Sequence, residues 1–329
     1  MVKVAVLDDW QNVARQSADW SGLEARAEVV FFHRPFADAD EAANALADFD
    51  ILIPMRERTP FPGTLIRRLS KLRMIALPGH RAGTLDLDAC TAQGVLVCNT
   101  GGTLGSIATA ELALGLLLAA NRRIPGGDAA IRAGRFQEGV GLGIVLHGRT
   151  LGIVGLGKIG ALVAGYARAL GMRVLAWSPN LTSERAEAAG AELADKDRLF
   201  ATADAVTIHM VLSPRTRAIV GAPDLARMKP GAILINTSRG PLVDEAALLD
   251  AVEAGRIIAA LDVFDREPLP LEHPLRRAPN TVLTPHVGYG TREIFEEFYT
   301  QCIDNVLAFL DGKPKRMVNP EALRGAAPA

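Results

Sequence analysis

The chain has 329 residues, 49% of them hydrophobic and only 5% aromatic, so it can bury a sizeable core of mainly aliphatic side chains. Its 36 Lys and Arg nearly balance its 37 Asp and Glu, and a formal charge of -1 gives no reason to expect a nucleic acid or an anionic membrane surface as a partner. The three cysteines form no CxxC pair and no metal-ligand spacing, which predicts a reduced, cytoplasmic setting and no bound metal.

The N-terminal third of the chain alternates short apolar runs with helical stretches. Short apolar runs of this kind are typical of a parallel, doubly wound sheet that is covered on both faces. We therefore predict an α/β domain with a helix at 39–47 and strands at 2–7, 29–33, 50–54, 73–77 and 95–98.

The middle of the chain begins with a helix at 108–120 that is apolar on nearly all its faces. Such a helix is either buried all round or packed in a subunit interface. Its most apolar part, 112–120, falls short of the roughly 20 residues that span a bilayer, so no membrane partner is expected. The tail, 292–310, predicts one long amphipathic helix. Between them a second alternation predicts a six-stranded dinucleotide-binding sheet, with strands at 150–154, 173–177, 205–209, 232–236, 258–261 and 282–284.

A glycine motif opens this second alternation, directly after its first strand. Gly155 permits a tight turn, Gly157 lets backbone N–H groups approach a pyrophosphate, and Gly160 allows the following helix to pack on the strand. Lys158 and Ile159 begin that helix, whose free N–H groups and dipole favour an anion. The motif alone is a weak signal, but strand, glycine turn, amphipathic helix and second strand together predict a dinucleotide site.

The adenosine end of this site departs from the usual pattern. An acid is expected about 20 residues after the motif to hold the ribose 2′-hydroxyl, but the second strand is followed by Ser178 and Asn180. Both can hydrogen-bond ribose hydroxyls, and neither repels a 2′-phosphate. Arg185 is the nearest cation and could lie inside the next helix. We therefore expect NAD(H) as the preferred cofactor, with NADP(H) as a possible one.

Three chemically active residues each follow a later strand of the second sheet: Arg239, Glu267 and His286. Ligands of open α/β sheets bind beyond the carboxyl ends of strands, so the three could meet in one cleft. Any one of these residues alone would more often be solvated or have a structural role. Because all three follow a nucleotide-binding motif in this order, the sequence favours an active site.

With the segments 155–160, 236–240, 261–268 and 285–288 in this order, the chain resembles the D-isomer-specific 2-hydroxyacid dehydrogenases. The resemblance implies that His286 is the general acid/base, that Glu267 orients it, and that Arg239 binds the substrate carboxylate and carbonyl. Hydride delivery to a keto carbon builds negative charge on its oxygen, and imidazole can supply the proton near neutral pH. The guanidinium fork matches a carboxylate.

The same resemblance assigns further positions. Gly79 matches a loop that presents backbone N–H groups to the substrate carboxylate, and His80 and Arg81 could read the substrate. Arg56 and Arg58 could face the same place, although solvated loop cations are the simpler interpretation. The remaining matches lie on the cofactor side: Thr109, Thr237, Asp262 and Gly288.

The complete prediction is an α/β protein with two doubly wound parallel-sheet domains. Residues 1–98 plus 289–329 form a flavodoxin-like substrate domain, and 99–288 form the Rossmann NAD-binding domain, with the active site in the cleft between them. The expected function is hydride transfer between nicotinamide and C2 of a small D-2-hydroxy acid or 2-keto acid. The helix at 108–120 and the resemblance both suggest a homodimer.

Two rival functions remain open at this point. One is a non-catalytic NAD(H)-sensing protein similar to the corepressors of this fold, since such proteins can retain the same three residues. The other is a Rossmann methyltransferase, which would not need Arg239, Glu267 and His286 together.

Overall fold

The computed structural model describes residues 1–80 and 83–324, so Arg81 lies outside the described residues. The strands are β1 Val2–Val6, β2 Ala27–Phe31, β3 Ile51–Ile53, β4 Met74–Leu77, β5 Leu96–Asn99, β6 Thr150–Val154, β7 Arg173–Trp177, β8 Glu192–Leu193, β9 Ala205–Ile208, β10 Ala232–Asn236, β11 Ile257–Leu261 and β12 Thr281–Leu283. The α-helices are α1 Ser21–Glu24, α2 Ala39–Leu46, α3 Gly63–Ile66, α4 Leu87–Ala92, α5 Leu104–Asn121, α6 Ile124–Arg132, α7 Lys158–Ala169, α8 Ser183–Ala188, α9 Lys196–Thr202, α10 Ala222–Arg227, α11 Glu245–Glu253 and α12 Arg292–Leu310.

Two compact units make up the chain. The first unit contains Met1–Thr103 and Thr291–Ala329, and the second contains Leu104–Gly290. The first has a five-stranded sheet of order β2-β1-β3-β4-β5, and the second a seven-stranded sheet of order β12-β11-β10-β9-β6-β7-β8. The strand pairs of both sheets are parallel. The predicted fold class, two doubly wound α/β domains, is thereby confirmed.

The core of the first unit lies on both faces of its sheet. Strands β3 and β4 are buried along their whole lengths, because helices cover a parallel sheet on each side. Helix α12 has the predicted bounds and packs on β4, where the Cys302 thiol donates to the carbonyl oxygen of Ala76 at 3.5 Å. The strand order is that of flavodoxin-like sheets, in which ligands bind at the carboxyl ends of the strands.

The second sheet has one strand more than the sequence predicts. Strand β8 has two residues, too few for a periodicity signal, and it pairs in parallel with β7. Strand β6 lies between β7 and β9, so the strand order reverses beside it. A crevice outside the carboxyl ends of β6 and β9 is where a doubly wound sheet binds its ligand.

Helix α5 is not buried all round, contrary to one of the two predicted alternatives. Ala110, Ala113 and Leu117 are buried, whereas Leu104 and Ile107 are exposed. The helix packs on α7, β10 and β11 of its own unit. Among the described residues it is also the helix that meets the length and hydropathy test for a membrane span, with 39% of the 18-residue window buried. The core helix of a soluble protein can have the same length and hydropathy.

Candidate active site

The glycine turn follows β6 and is held by close backbone contacts. Gly155 has a φ of +100°, and its N–H donates to the carbonyl oxygen of Trp177 at 2.8 Å, which ties the turn to the end of β7. A Cβ on Gly155 would collide with the carbonyl oxygen of His209, and one on Gly160 with the carbonyl oxygen of Gly155. Only glycine therefore permits this turn and this approach of α7 to β6.

The fold leaves room for a side chain at the middle glycine of the turn. Gly157 is the N-terminal cap of the 12-residue helix α7, and a Cβ on it would meet nothing within 4 Å. Lys158 beside it is exposed, and Ile159 is half-buried against the core of the unit. Open space before free helix N–H groups suits a pyrophosphate, so the turn fits the dinucleotide that the sequence predicts.

The loop after β7 forms a closed turn without a carboxylate. The N–H of Leu181 donates to the carbonyl oxygen of Ser178 at 3.1 Å. Ser178 is half-buried and Asn180 is exposed. Arg185 lies in α8, as was considered from the sequence, and its Nη1 donates back to the carbonyl oxygen of Asn180 at 3.4 Å. These residues lie beside the glycine turn, since β6 and β7 pair up to Val154 and Trp177.

Asp262 joins several of the predicted cofactor residues. It follows β11, is fully buried, and accepts hydrogen bonds from Thr284 Oγ1 at 2.6 Å and from the N–H groups of Val287 and Gly288, both at 2.9 Å. Burial raises the pKa of Asp262, while these hydrogen bonds act in the opposite direction. Thr109 Oγ1 lies 3.3 Å from the carbonyl oxygen of Gly288. The structure therefore brings Thr109, Asp262 and Gly288 together.

Two buried polar atoms at the ends of β9 and β10 have no hydrogen-bond partner among the described residues: Thr237 Oγ1 and His209 Nδ1. Ile208 and Asn236 are paired across these strands, so His209 and Thr237 follow at the same level. Unpaired polar groups are rare in a protein interior and often mark a ligand position. Thr237 was predicted as a cofactor contact. His209 was not, although its place at a strand end was a usable signal.

His286 and Glu267 form a direct pair. His286 Nδ1 lies 2.5 Å from Glu267 Oε2, and the other carboxylate oxygen accepts the N–H of Phe264 at 2.9 Å. The two side chains are 25% and 32% exposed, so solvent and ligands can reach them. His286 has a φ of +53°, a conformation that costs energy for a residue with a Cβ and recurs at functional sites.

Arg239 is the first residue of a turn that packs against the Glu267 loop. Its Nη1 donates to the carbonyl oxygen of Ser238 at 2.7 Å, and its own carbonyl oxygen accepts from Asn236 Nδ2 at 2.9 Å. A Cβ on Gly240 would collide with the backbone of Phe264, whose N–H holds Glu267. The close approach therefore places the Arg239 turn beside the loop that carries the carboxylate.

The predicted substrate loop of the first unit differs from the expectation in one respect. Gly79 has a φ of +82°, but its N–H donates to Thr100 Oγ1 at 2.7 Å and is not presented to a ligand. His80 is exposed, and its carbonyl oxygen accepts from Asn99 Nδ2 at 3.2 Å. The assignment of the Gly79 N–H as a carboxylate donor is therefore not supported by this geometry, because a buried hydroxyl already takes that N–H.

The two arginines after β3 are held by their own unit rather than simply solvated. Arg58 Nη1 donates to the carbonyl oxygen of Asp8 at 2.6 Å, and its guanidinium lies 4.9 Å from the ring centre of Trp10. Arg56 Nε lies 3.5 Å from a carboxylate oxygen of Glu57. Sequence reasoning missed this arrangement, because the residues after β1 carry no recognisable motif.

Comparison with known proteins gives consistent results. The sequence model of the family described as "D-isomer specific 2-hydroxyacid dehydrogenase, NAD binding domain" matches residues 114–288. The chain is 39% identical over 242 residues to the D-3-phosphoglycerate dehydrogenase of Archaeoglobus fulgidus, covering 73% of this chain and 46% of that protein. It is similarly 38% identical over 276 residues to the enzyme of that name from Methanocaldococcus jannaschii, covering 83% of this chain and 52% of that one. The chain thus spans about half the length of these curated relatives.

Among solved structures, a Ralstonia solanacearum protein provisionally named D-3-phosphoglycerate dehydrogenase oxidoreductase is 40% identical, with a TM-score of 0.92 and coverage of 100% of this chain and 99% of that one. A phosphoglycerate oxidoreductase from Vibrio cholerae O395 is 36% identical, with a TM-score of 0.90 and coverage of 95% of this chain and 100% of that one. The chain therefore belongs to the D-isomer specific 2-hydroxyacid dehydrogenase family, and its second unit carries the NAD-binding domain of that family.

Proposed function

We propose that this protein transfers a hydride between NAD(H) and C2 of a small D-2-hydroxy acid or 2-keto acid. The observation that carries the proposal is the contact of His286 Nδ1 with Glu267 Oε2, in the same unit as the glycine turn. Hydride transfer to a keto acid needs a group that donates a proton and a site that binds the dinucleotide. The paired imidazole can serve as the first, and the glycine turn can serve as the second.

His286 supplies the proton in this proposal. With Nδ1 donating to Glu267, Nε2 remains to give a proton to the substrate oxygen in reduction or to take it in oxidation. The carboxylate fixes the tautomer and the orientation of the ring, and the Phe264 N–H holds the carboxylate in place. When bound, the dinucleotide supplies or accepts the hydride at its nicotinamide ring.

Arg239 binds the substrate in this proposal, with its guanidinium fork directed to the carboxylate and carbonyl. Asp262 accepts hydrogen bonds from residues on both sides of His286: from the Thr284 hydroxyl before it and from two backbone N–H groups after it. The segment that carries the imidazole is therefore already ordered before substrate binds. The assignment of the first unit as the substrate domain, including His80, stays a prediction.

The enzyme is favoured over the NAD(H)-sensing alternative because the relatives carry dehydrogenase names. The decisive test is turnover of NADH with a panel of glyoxylate, pyruvate, hydroxypyruvate and the keto form of 3-phosphoglycerate, the last because of those relatives. Turnover of at least one keto acid is expected. Tight NADH binding without turnover of any acid would indicate a sensor.

The role of His286 has a matched control within the same unit. His286→Ala should lower kcat by about 10²- to 10⁴-fold, the range for a lost general acid, and leave the Kd for NADH little changed. His273 also pairs with a glutamate, at 3.3 Å from Glu245, but belongs to no part of the proposed site. His273→Ala should keep kcat within about twofold. Equal losses in both variants would remove His286 from the mechanism.

We also propose a homodimer, formed through the segment 104–145 of the second unit. This segment exposes large apolar side chains that a solvated surface rarely carries together, among them Phe136 at 69%, Leu142 at 92% and Val145 at 75%. Sedimentation should give a dimer, and Leu142→Asp combined with Phe136→Asp should give monomers. Leu271→Asp, at an equally exposed site outside the segment, should not. The cytoplasmic location stays a prediction.

A further inference from the structure

The second unit has a cleft of about 600 Å³ between the end of α7, the start of β7 and helix α8. Arg173, the first residue of β7, lines this cleft. The carbonyl oxygen of Trp177, the last residue of the same strand, accepts the hydrogen bond from the glycine turn. At about 3.3 Å per residue the two ends of β7 are roughly 13 Å apart, so the cleft is separate from the glycine turn.

The buried residues that line the cleft are apolar. Met172, Val174 and Ala191 are 5%, 6% and 6% exposed and belong to the hydrophobic core of the unit. Leu193, which also lines the cleft, is half-buried against the same core. The cleft therefore has an apolar floor, which favours contact with an apolar group of a ligand over contact with water.

Two arginines line the cleft above this floor. A Cβ on Gly190 would collide with Arg168 Nη1, so the guanidinium lies against the bare backbone of the turn after α8. Arg173 Nη2 donates to Thr150 Oγ1, a neutral acceptor, at 3.0 Å. Neither arginine forms an ion pair with any residue that the structure describes. Each guanidinium therefore keeps N–H donors in the planar arrangement that matches a carboxylate.

One carboxylate of the cleft supplies the opposite charge. Glu187 is exposed in α8 and has no ion-pair partner in the described ranges 1–80 and 83–324. The other acid of the cleft, Glu192, lies 2.5 Å from Arg198, which is not one of the lining residues. The charges available to a ligand are therefore two cations and one anion beside an apolar floor.

We propose that this cleft binds an α-amino acid with a large apolar side chain. Arg168 and Arg173 bind its carboxylate, Glu187 binds its ammonium group, and the floor receives its side chain. A simple anion would leave Glu187 unmatched, and a simple cation would leave both guanidinium groups unmatched. Because the three contacts involve three different substituents of one carbon, the cleft distinguishes the two enantiomers. This inference does not depend on the proposed function, since no residue of the hydride-transfer site takes part.

The test is titration calorimetry of the full chain with the L and D forms of leucine, methionine and phenylalanine. At least one of the six should bind with a Kd below about 1 mM, and its enantiomer at least about tenfold more weakly. The N-acetyl derivative of the bound amino acid lacks the ammonium group. It should bind about tenfold to a hundredfold more weakly, the range for a lost hydrogen bond to a charged group.

Two variants test the residues, and a third is their matched control. Arg168→Ala and Glu187→Gln should each raise the Kd about tenfold to a hundredfold, because each removes a contact to a charged group of the ligand. Glu184 is an exposed acid of the same helix that does not line the cleft, so Glu184→Gln should keep the Kd within about twofold. All three melting temperatures should stay within about 2 °C of wild type, because the substitutions are on the surface.

Three results would overturn the inference. The first is no measurable binding of any of the six amino acids up to about 10 mM. The second is a wild-type Kd in both Arg168→Ala and Glu187→Gln, which would mean that the amino acid binds elsewhere. The third is equal affinity for the N-acetyl derivative, which would leave Glu187 without a ligand group to bind.

Discussion

Acidification should unfold the second unit more readily because of one imidazole, that of His209. The ring's Nε2 lies 2.9 Å from the hydroxyl oxygen of Thr207, which is fully buried, and its Nδ1 is buried without a hydrogen-bond partner in the part of the chain that the structure describes. Burial lowers the pKa of His209 from 6.5 to about 4. Between these two values the unfolded chain binds a proton that the folded chain does not, so stability is complete above pH 6.5 and is lost as the pH falls.

The size of the effect follows from the difference of the two pKa values. One unit corresponds to about 1.4 kcal/mol, so the free energy of unfolding should fall by about 2 to 3 kcal/mol between pH 7.5 and pH 4.5 from this group. Buried carboxyl groups act in the opposite sense. Burial raises the pKa of Asp8 and Asp262, so the folded state holds their protons more tightly and gains stability as the pH falls through their titration.

A variant separates His209 from these carboxyl groups. Urea unfolding of the wild-type protein and of His209→Gln should be measured at half-unit intervals over this pH range, and the two free energies subtracted at each pH. The wild-type protein should lose about 2 to 3 kcal/mol more than the variant as the pH falls. Two parallel curves would refute the reasoning, since they would mean that His209 titrates alike in the folded and unfolded states.

Three further predictions concern the site and the core. Asp262→Ala should lower the free energy of unfolding by about 3 to 5 kcal/mol in urea titrations, because three donors lose a buried acceptor; a loss below about 1 kcal/mol would show that water replaces it. Gly157→Val should leave the melting temperature within about 2 °C of wild type and raise the Kd for NADH at least tenfold, because its side chain enters only the open space before α7; an unchanged Kd would place the pyrophosphate elsewhere. Cys90 and Cys98 are fully buried, and burial raises the pKa of each thiol to about 12, so both should resist a thiol-reactive disulfide reagent until the protein is denatured; rapid labelling of the native protein would contradict this.

The sequence was sufficient for features that depend on local pattern. Buried parallel strands such as β4 read as continuous apolar runs, and the glycine turn has a spacing that geometry imposes at Gly155 and Gly160. The bounds of α12 were predicted to the residue from apolar residues that recur at helical spacing, and the structure adds that Thr291 caps the helix.

Other features depend on contacts that no local pattern records. The two residues of β8 are too short for periodicity, and the engagement of the Gly79 N–H depends on Thr100, which is 21 residues away. The exposed side of α5 could not be identified from a helix that is apolar all round. The three hydrogen bonds to Asp262 likewise come from residues more than 20 positions along the chain.

The backbone of His286 determines which replacements are informative in a kinetic dissection. At a φ of +53°, asparagine is tolerated far better than other residues with a side chain, whereas a β-branched residue strains the turn. A series of Asn, Ala and Val at this position would therefore divide the loss of turnover into two contributions. The loss common to all three measures the missing imidazole, and the additional loss in the valine enzyme measures displacement of the loop that Asp262 holds.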